Sequence, residues 1–282
     1  MSDMRRMMMM FIRPVESGSD TVPNPTISPS AGAIFPTQTI SISISGIATS
    51  AEYSFDNQTW TTYSSPFTLS SATTVYARAT DGSGNYSSVT SNSYTLLPYD
   101  AEVEYLETTG TQWVQTNINT DGRGIEAQVT AQHLGGTAEQ ALIGRTNSGG
   151  YELYYSSNKI GMYNNSSAHV TTSIDKNTHS IVGTVTNNTT KLSIDGVEYT
   201  KSATATSGGG GNNAYISFFK HNTKYYFVGR MMQCKILKNG VLAGDFIPVR
   251  VGQTGYLYDK VSGNLFGNSG SGSFTYGNDV TT

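Results

Sequence analysis

The chain carries a single cysteine, Cys234, in 282 residues. It therefore forms no internal disulfide, and its place in the alternating run Met231-Met232-Gln233-Cys234-Lys235-Ile236-Leu237 reads as a buried thiol, not a reactive one. Charge is scarce: 13% of residues are charged and the formal net charge is -3. A nucleic-acid binder shows a basic face, so no nucleic-acid partner is expected. No run approaches the roughly 18–20 apolar residues needed to span a bilayer, which excludes membrane insertion through a helix. No helical period is sustained, and no heptad supports a coiled coil.

Recognisable catalytic chemistry is equally thin. His133, His169, His179 and His221 lie far apart, with no second His or Cys at ligand spacing, and Asp175, Asp195 and Asp259 are dispersed. Neither a metal nor a cofactor is expected. No serine sits in a Gly-x-Ser-x-Gly elbow. Gly208-Gly209-Gly210-Gly211 lacks a following Lys-Ser/Thr and a helix, so it reads as a flexible loop and not a phosphate cradle.

What fills the chain is Thr, Ser, Asn and Gly, with 18 Tyr. β-branched and aromatic residues suit strands, and Gly, Asn and Ser suit turns, so the fold class is all-β. Three parts are read. Residues 1–20 form a Met-rich peptide and linker. Residues 21–97 form a first module. Thr39-Ile40-Ser41-Ile42-Ser43-Ile44-Ser45 alternates strictly, so one face is buried and one is wet. Ala51 to Phe55 and Gln58 to Trp60 read as a hairpin around Asp56-Asn57. Six or seven short strands of this kind suggest an Ig-like sandwich. Residues 99–282 form the second module. Lys191 to Ile194 and Val197 to Thr200 flank Asp195-Gly196, a dipeptide suited to a tight I′ turn, and about a dozen strands point to two stacked antiparallel sheets.

Two resemblances follow. The stretch Tyr53-Ser54-Phe55-Asp56-Asn57-Gln58-Thr59-Trp60, with Pro66-Phe67-Thr68-Leu69 and Ala79-Thr80-Asp81-Gly82, resembles bacterial Ig-like modules of the chitobiase C-terminal type. That likeness implies a spacer without a site. Tyr105-Leu106-Glu107-Thr108-Thr109-Gly110-Thr111-Gln112-Trp113-Val114-Gln115-Thr116 looks like the entry strand of concanavalin A-like (LamG-like) jelly rolls. The closing run from Asp245-Phe246-Ile247-Pro248-Val249-Arg250 through Leu257-Tyr258-Asp259 to Asp279-Val280 resembles the end of the same domains. The likeness implies a larger β-sandwich after the Ig-like one, and a lectin-like role.

Some members of that superfamily are glucanases. Their chemistry needs two carboxylates about 5–5.5 Å apart for retention, presented from one strand. No Glu-x-Asp-x-x-Glu occurs here. Glu104 and Glu107 are three apart and face opposite sides of a strand, while Glu152 and Glu198 stand alone in the sequence. No enzyme, and no catalytic residue, is expected. For sugar binding, an aromatic face with Asn and His is the right chemistry. The candidates are Tyr163-Asn164-Asn165, read as a loop, and His221-Asn222.

Arg5, Arg6, Met7, Met8, Met9, Met10, Phe11 and Ile12 mimic the start of a signal peptide, but the apolar run stops at Arg13 and no small-residue cleavage site follows. Modules of an extracellular kind behind a short apolar and basic peptide suggest a phage virion surface protein. It would be a capsid decoration protein, head fibre or tail fibre, assembled in the host cytoplasm. The peptide would dock on a capsid or tail protein, and the lectin-like head would adhere to host or gut glycans. Analogy with fibres implies a homotrimer. The alternative is a secreted or cell-surface adhesin of a gut bacterium.

Overall fold

The structure, a computed structural model, describes residues 21–146, 150–206 and 214–280. The expected docking peptide, Arg5 to Ile12, and the Gly208 to Gly211 loop lie outside the described residues. The described residues contain strands and turns but no helix, and so no helix long and apolar enough to cross a membrane. The chain is all-β and divides into two compact units between Leu96 and Leu97.

In the first unit the described residues form eight strands, not six or seven. A three-stranded sheet runs Thr26–Ser28, Thr39–Ser43, Phe67–Thr68. A five-stranded sheet runs Gly32–Ile34, Thr90–Leu96, Thr73–Thr80, Ser50–Ser54, Thr61–Thr62. Alternation puts Ile40 and Ile42 of one sheet, and Val75 and Ala77 of the other, into a shared core with Ile27, Ile34 and Tyr94. The hairpin expected at Asp56 is longer than read. Its second arm begins at Thr61, opposite Tyr53, and not at Gln58. The reason is local: the Asp56 carboxylate accepts the Gln58 and Thr59 backbone N–H groups at 2.8 and 2.7 Å and so holds that stretch in the turn.

The second unit is a sandwich. Its described residues form a six-stranded sheet in the order Val114–Asn119, Tyr215–Phe218, Gln140–Arg145, Glu152–Ser156, Lys159–Tyr163, His169–Ser173. Against it lies an eleven-stranded sheet. Its main path is Val197–Ser202, Thr189–Ile194, Thr178–Val185, Ile125–His133, Val228–Lys238, Val241–Val251, Thr254–Asp259, Asn264–Phe266. Both sheets feed one hydrophobic cluster: Leu153, Tyr155, Met162 and Phe218 from the smaller, Val129, Ile181, Cys234 and Phe246 from the larger. The Phe218 and Phe246 rings meet edge to face at 4.9 Å, joining the layers. Cys234 is fully buried, and burial pushes its thiol well above the usual range. The Asp195-Gly196 turn is tight: Ile194 pairs directly with Val197.

Residues 105–116 are not one strand. Leu106–Thr109 belongs to the larger sheet and Val114–Asn119 to the smaller, so the chain changes layers between them. The Gln112 side chain holds this corner. Its Oε1 accepts the Thr109 backbone N–H at 2.9 Å, and its Nε2 donates to the Ser273 carbonyl at 3.1 Å. Trp113 N–H donates to the Asn268 side chain at 3.1 Å, and Ser269 N–H to the Trp113 carbonyl at 2.7 Å. Glu107 is spent on Arg230, at 2.5 Å, and Glu104 accepts the Asn278 backbone N–H at 3.1 Å.

Candidate functional site

The smaller sheet has two faces, and alternation decides what each receives. Leu153, Tyr155, Ile160 and Met162 point into the core. Glu152 and Tyr154 therefore leave by the other face. Glu152 stands opposite Tyr163, and Tyr163 opposite His169, so three side chains form a row across three neighbouring strands. Tyr154 lies across Gly161, its partner on the next strand. A Cβ at Gly161 would meet the Tyr154 ring at 2.5 Å, so only glycine lets the ring lie down there. So placed, the Tyr154 hydroxyl reaches His169 Nε2 at 2.5 Å.

A second wall comes from the turn after Tyr215–Phe218. His221 is seated against Gly144, where a Cβ would meet His221 Cβ at 2.7 Å and the Lys220 carbonyl at 2.7 Å. The turn is pinned to the strand Gln140–Arg145: Asn222 N–H donates to the Arg145 carbonyl at 2.8 Å, and Ala141 N–H to the Tyr225 carbonyl at 2.7 Å. Glu139, just before that strand, completes the rim. The result is a pocket of about 430 Å³ lined by Glu139, Glu152, Tyr154, Tyr163, His169, His221 and Tyr225, within the size range of small-ligand sites.

Its electrostatics are set by burial. Glu152 is 5% exposed. Burial, and next the negative charge of Glu139, push its carboxyl up to about 8, so it is protonated at neutral pH. Its Oε1 has no hydrogen-bond partner. Burial, then the Arg145 charge, push His221 down to about 4. His221 Nδ1 accepts the Arg145 backbone N–H at 3.3 Å, which leaves the proton of the neutral ring on Nε2. That nitrogen lies 3.9 Å from Glu152 Oε2. The distance is within ion-pair reach, but both groups favour their neutral forms, and it is too long for a hydrogen bond. Burial also lowers His169 and pushes the Tyr154 hydroxyl up to about 12. The pocket thus offers aromatic faces, a buried carboxyl and neutral imidazoles.

Of the residues expected at a sugar site, the structure brings Tyr163 and His221 together here. Tyr163 ends a strand instead of lying in a loop. Asn164 is buried and its amide is spent within the chain: Oδ1 accepts the Thr206 N–H at 2.8 Å, and Nδ2 donates to the Thr206 carbonyl at 3.0 Å and to the Gly150 carbonyl. Asn165 caps its own turn, accepting the Ser167 and Ala168 N–H groups at 2.9 Å each. Asn222 takes the left-handed conformation of the turn, φ 54°. Glu139, Glu152, Tyr154, His169 and Tyr225 were missed. The available signal was a lone carboxylate in the aromatic run Tyr151-Glu152-Leu153-Tyr154-Tyr155.

The aspartates read as dispersed are partly gathered. His179 sits between Asp195, 2.7 Å from Nδ1, and Asp175, 2.8 Å from Nε2. Asp259 is buried and accepts the Asp245, Val261 and Ser262 N–H groups at 2.8, 3.1 and 3.2 Å. Glu198 pairs with Lys191 at 3.1 Å, and His133 stacks on Tyr155 in the core at 4.7 Å. Among the described residues no group of three or more His, Cys, Asp or Glu is placed to hold a metal ion.

No family model matches the chain, and no curated protein matches it. Among solved structures it is similar to a protein of Bacteroides ovatus ATCC 8483 provisionally named as carbohydrate binding. Identity is 10% and the TM-score 0.46, over 90% of this chain and 97% of that one.

Proposed function

We propose that the chain is a non-enzymatic glycan-binding protein whose second unit takes a sugar in the Glu152 pocket. The observation that carries this reading is the buried Glu152 carboxyl, with Oε1 unpartnered, in a cavity walled by three tyrosines. A sugar presents apolar C–H faces to aromatic rings and hydroxyl donors to such an acceptor. The Glu152 carboxyl is desolvated and lines the cavity, and a bound hydroxyl offsets the cost of that burial.

The test is a glycan array with the full chain, repeated with Tyr163→Ala. Binding of a defined glycan by the parent and its loss in the variant support the reading. Absence of binding to every glycan overturns it, and release of new reducing ends from a bound oligosaccharide overturns its non-enzymatic part.

The reading extends to a place of action. The protein works on a virion surface, docked to a capsid or tail protein by residues 5–12, with the second unit turned to host or gut glycans. The order of peptide, small sandwich and larger sandwich supports it, as does the apolar and basic character of Arg5 to Ile12. Deleting residues 1–13 abolishes incorporation into particles if this is right. Unchanged incorporation favours the alternative, a secreted or cell-surface adhesin.

A further inference from the structure

Resting on the sugar-binding reading above, we propose that the pocket is built for glycans carrying a free, protonated amine (amino sugars of the 2-amino-2-deoxyhexose class) in preference to their N-acetylated or acidic counterparts.

The argument begins with charge. Two glutamates, three tyrosines and two histidines line the cavity, and no lysine or arginine does. Every element packed around Glu152 tells the same way. The strand Gln140–Arg145 brings Glu139 at its start. The strands Lys159–Tyr163 and His169–Ser173 bring Tyr163 and His169. The turn brings His221 and Tyr225. Arg145, behind His221, is fully buried and directs Nη2 to the Thr120 carbonyl at 2.7 Å. Its charge and that of Asp121 stabilise each other. The residues that line the cavity therefore meet a ligand with negative and neutral groups, and the Arg145 charge felt at His221 is answered by Asp121.

An ammonium group answers three features at once. It supplies donors to the Glu152 carboxyl, it neutralises the charge that Glu139 projects onto Glu152, and tyrosine rings attract cations. N-acetylation removes the charge and leaves one N–H. A sugar carboxylate would meet Glu139 with no cation to receive it.

Protonation supports the same picture. Glu152, pushed up to about 8, is mostly protonated in the empty pocket at pH 7. A bound cation stabilises its carboxylate and drives the proton off. Binding of an amine that is already protonated therefore releases a proton that originates on Glu152.

Isothermal titration of the full chain at about pH 5.5, where both the probe amine and Glu152 are protonated, tests this, with a glucosamine oligomer, the N-acetylglucosamine oligomer of equal length and a glucuronic acid oligomer as probes. Two buffers of different ionisation heat count protons. The parent protein is expected to bind the amine form at least about tenfold more tightly than the N-acetyl form and not to bind the acidic form. Glu152→Gln is expected to lose most of that preference and the proton release. The exposed Glu139→Gln, which does not disturb the buried row, is expected to lose part of the preference. Equal or tighter binding of the N-acetyl form, or a preference unchanged in both variants, overturns the amine inference while leaving sugar binding intact. Failure of all three probes together with an empty glycan array overturns the sugar-binding reading itself.

Discussion

Glu152 and Tyr163 face each other on adjacent strands, and both side chains leave the core for the same pocket. One is buried and acidic, the other half-exposed and aromatic, and they divide the work of the site between orientation and contact area. Tyr163→Ala removes a ring that nothing in the core depends on. Affinity for the bound glycan is expected to fall about tenfold, on the scale of one lost aromatic contact. The melting temperature should stay nearly constant. Titration beside thermal denaturation checks both.

Gly161→Ala probes the same row from beneath. The new Cβ would sit 2.5 Å from the Tyr154 ring, which has to lift and give up its hydrogen bond to His169. Overpacking of this kind costs about 1–3 kcal/mol. Urea denaturation should show that loss, and glycan affinity should fall with it.

Burial of Glu152 shapes stability against pH. Its folded pKa lies above its unfolded value, so between those values the unfolded chain holds fewer protons and stability falls as pH rises. His221, pushed down to about 4, works in the opposite direction below its unfolded value near 6.5. The two effects oppose each other in the acid range. From about pH 6.5 to about 8 Glu152 and His179 both lower stability as pH rises, and the Glu152 share of the decline is on the order of 1–2 kcal/mol. Glu152→Gln should remove the Glu152 share and leave that of His179, as measured by denaturant midpoints across the range.

The His179 clasp responds to pH as well. Burial opposes charge on this imidazole, but its hydrogen bonds to Asp195 and Asp175 outweigh it and raise its pKa. The stability it contributes is complete below the unfolded histidine pKa and is lost as pH rises through the raised folded value. Amide hydrogen exchange at Asn177 and Ser180, whose N–H groups bind Asp175 and Asp195, should be slow at pH 5.5. It should quicken at pH 9 beyond the intrinsic rise, and His179→Gln should abolish the difference.

Asn164→Ala separates architecture from recognition. The amide ties the Tyr163 turn to Gly150 and Thr206, and its loss leaves the buried Gly150 carbonyl without this donor at about 1–3 kcal/mol. Stability should drop while glycan preference, read on the folded protein, keeps its order.

The sandwich layers were legible wherever alternation or a turn dipeptide marks them, as at Ile40 and Ile42, Asp195-Gly196, and Phe246 in the closing run. The layer change inside residues 105–116 was not, because Gln112 acts through contacts with residues near the other end of the unit. The site was half legible. Tyr163 and His221 carry chemistry that a sequence shows, but their meeting depends on Gly144, whose missing side chain lets a distant turn settle on the strand. Glu152 reads as a carboxylate standing alone for a related reason. A single carboxylate in a strand reads as a wet face until neighbouring strands and a loop close over it.

The Gln112 corner also dictates an order of events. Its partners lie far downstream: Asn268 follows Trp113 by 155 residues and Ser273 follows Gln112 by 161. During synthesis the opening strands of the second unit emerge long before the segment that locks them across the two layers. Contacts so distant in sequence form late and slowly. The larger sandwich is thus latched only once residues 268–273 have been made, and a ribosome stalled before residue 268 would carry an unlatched sheet for chaperones to shield.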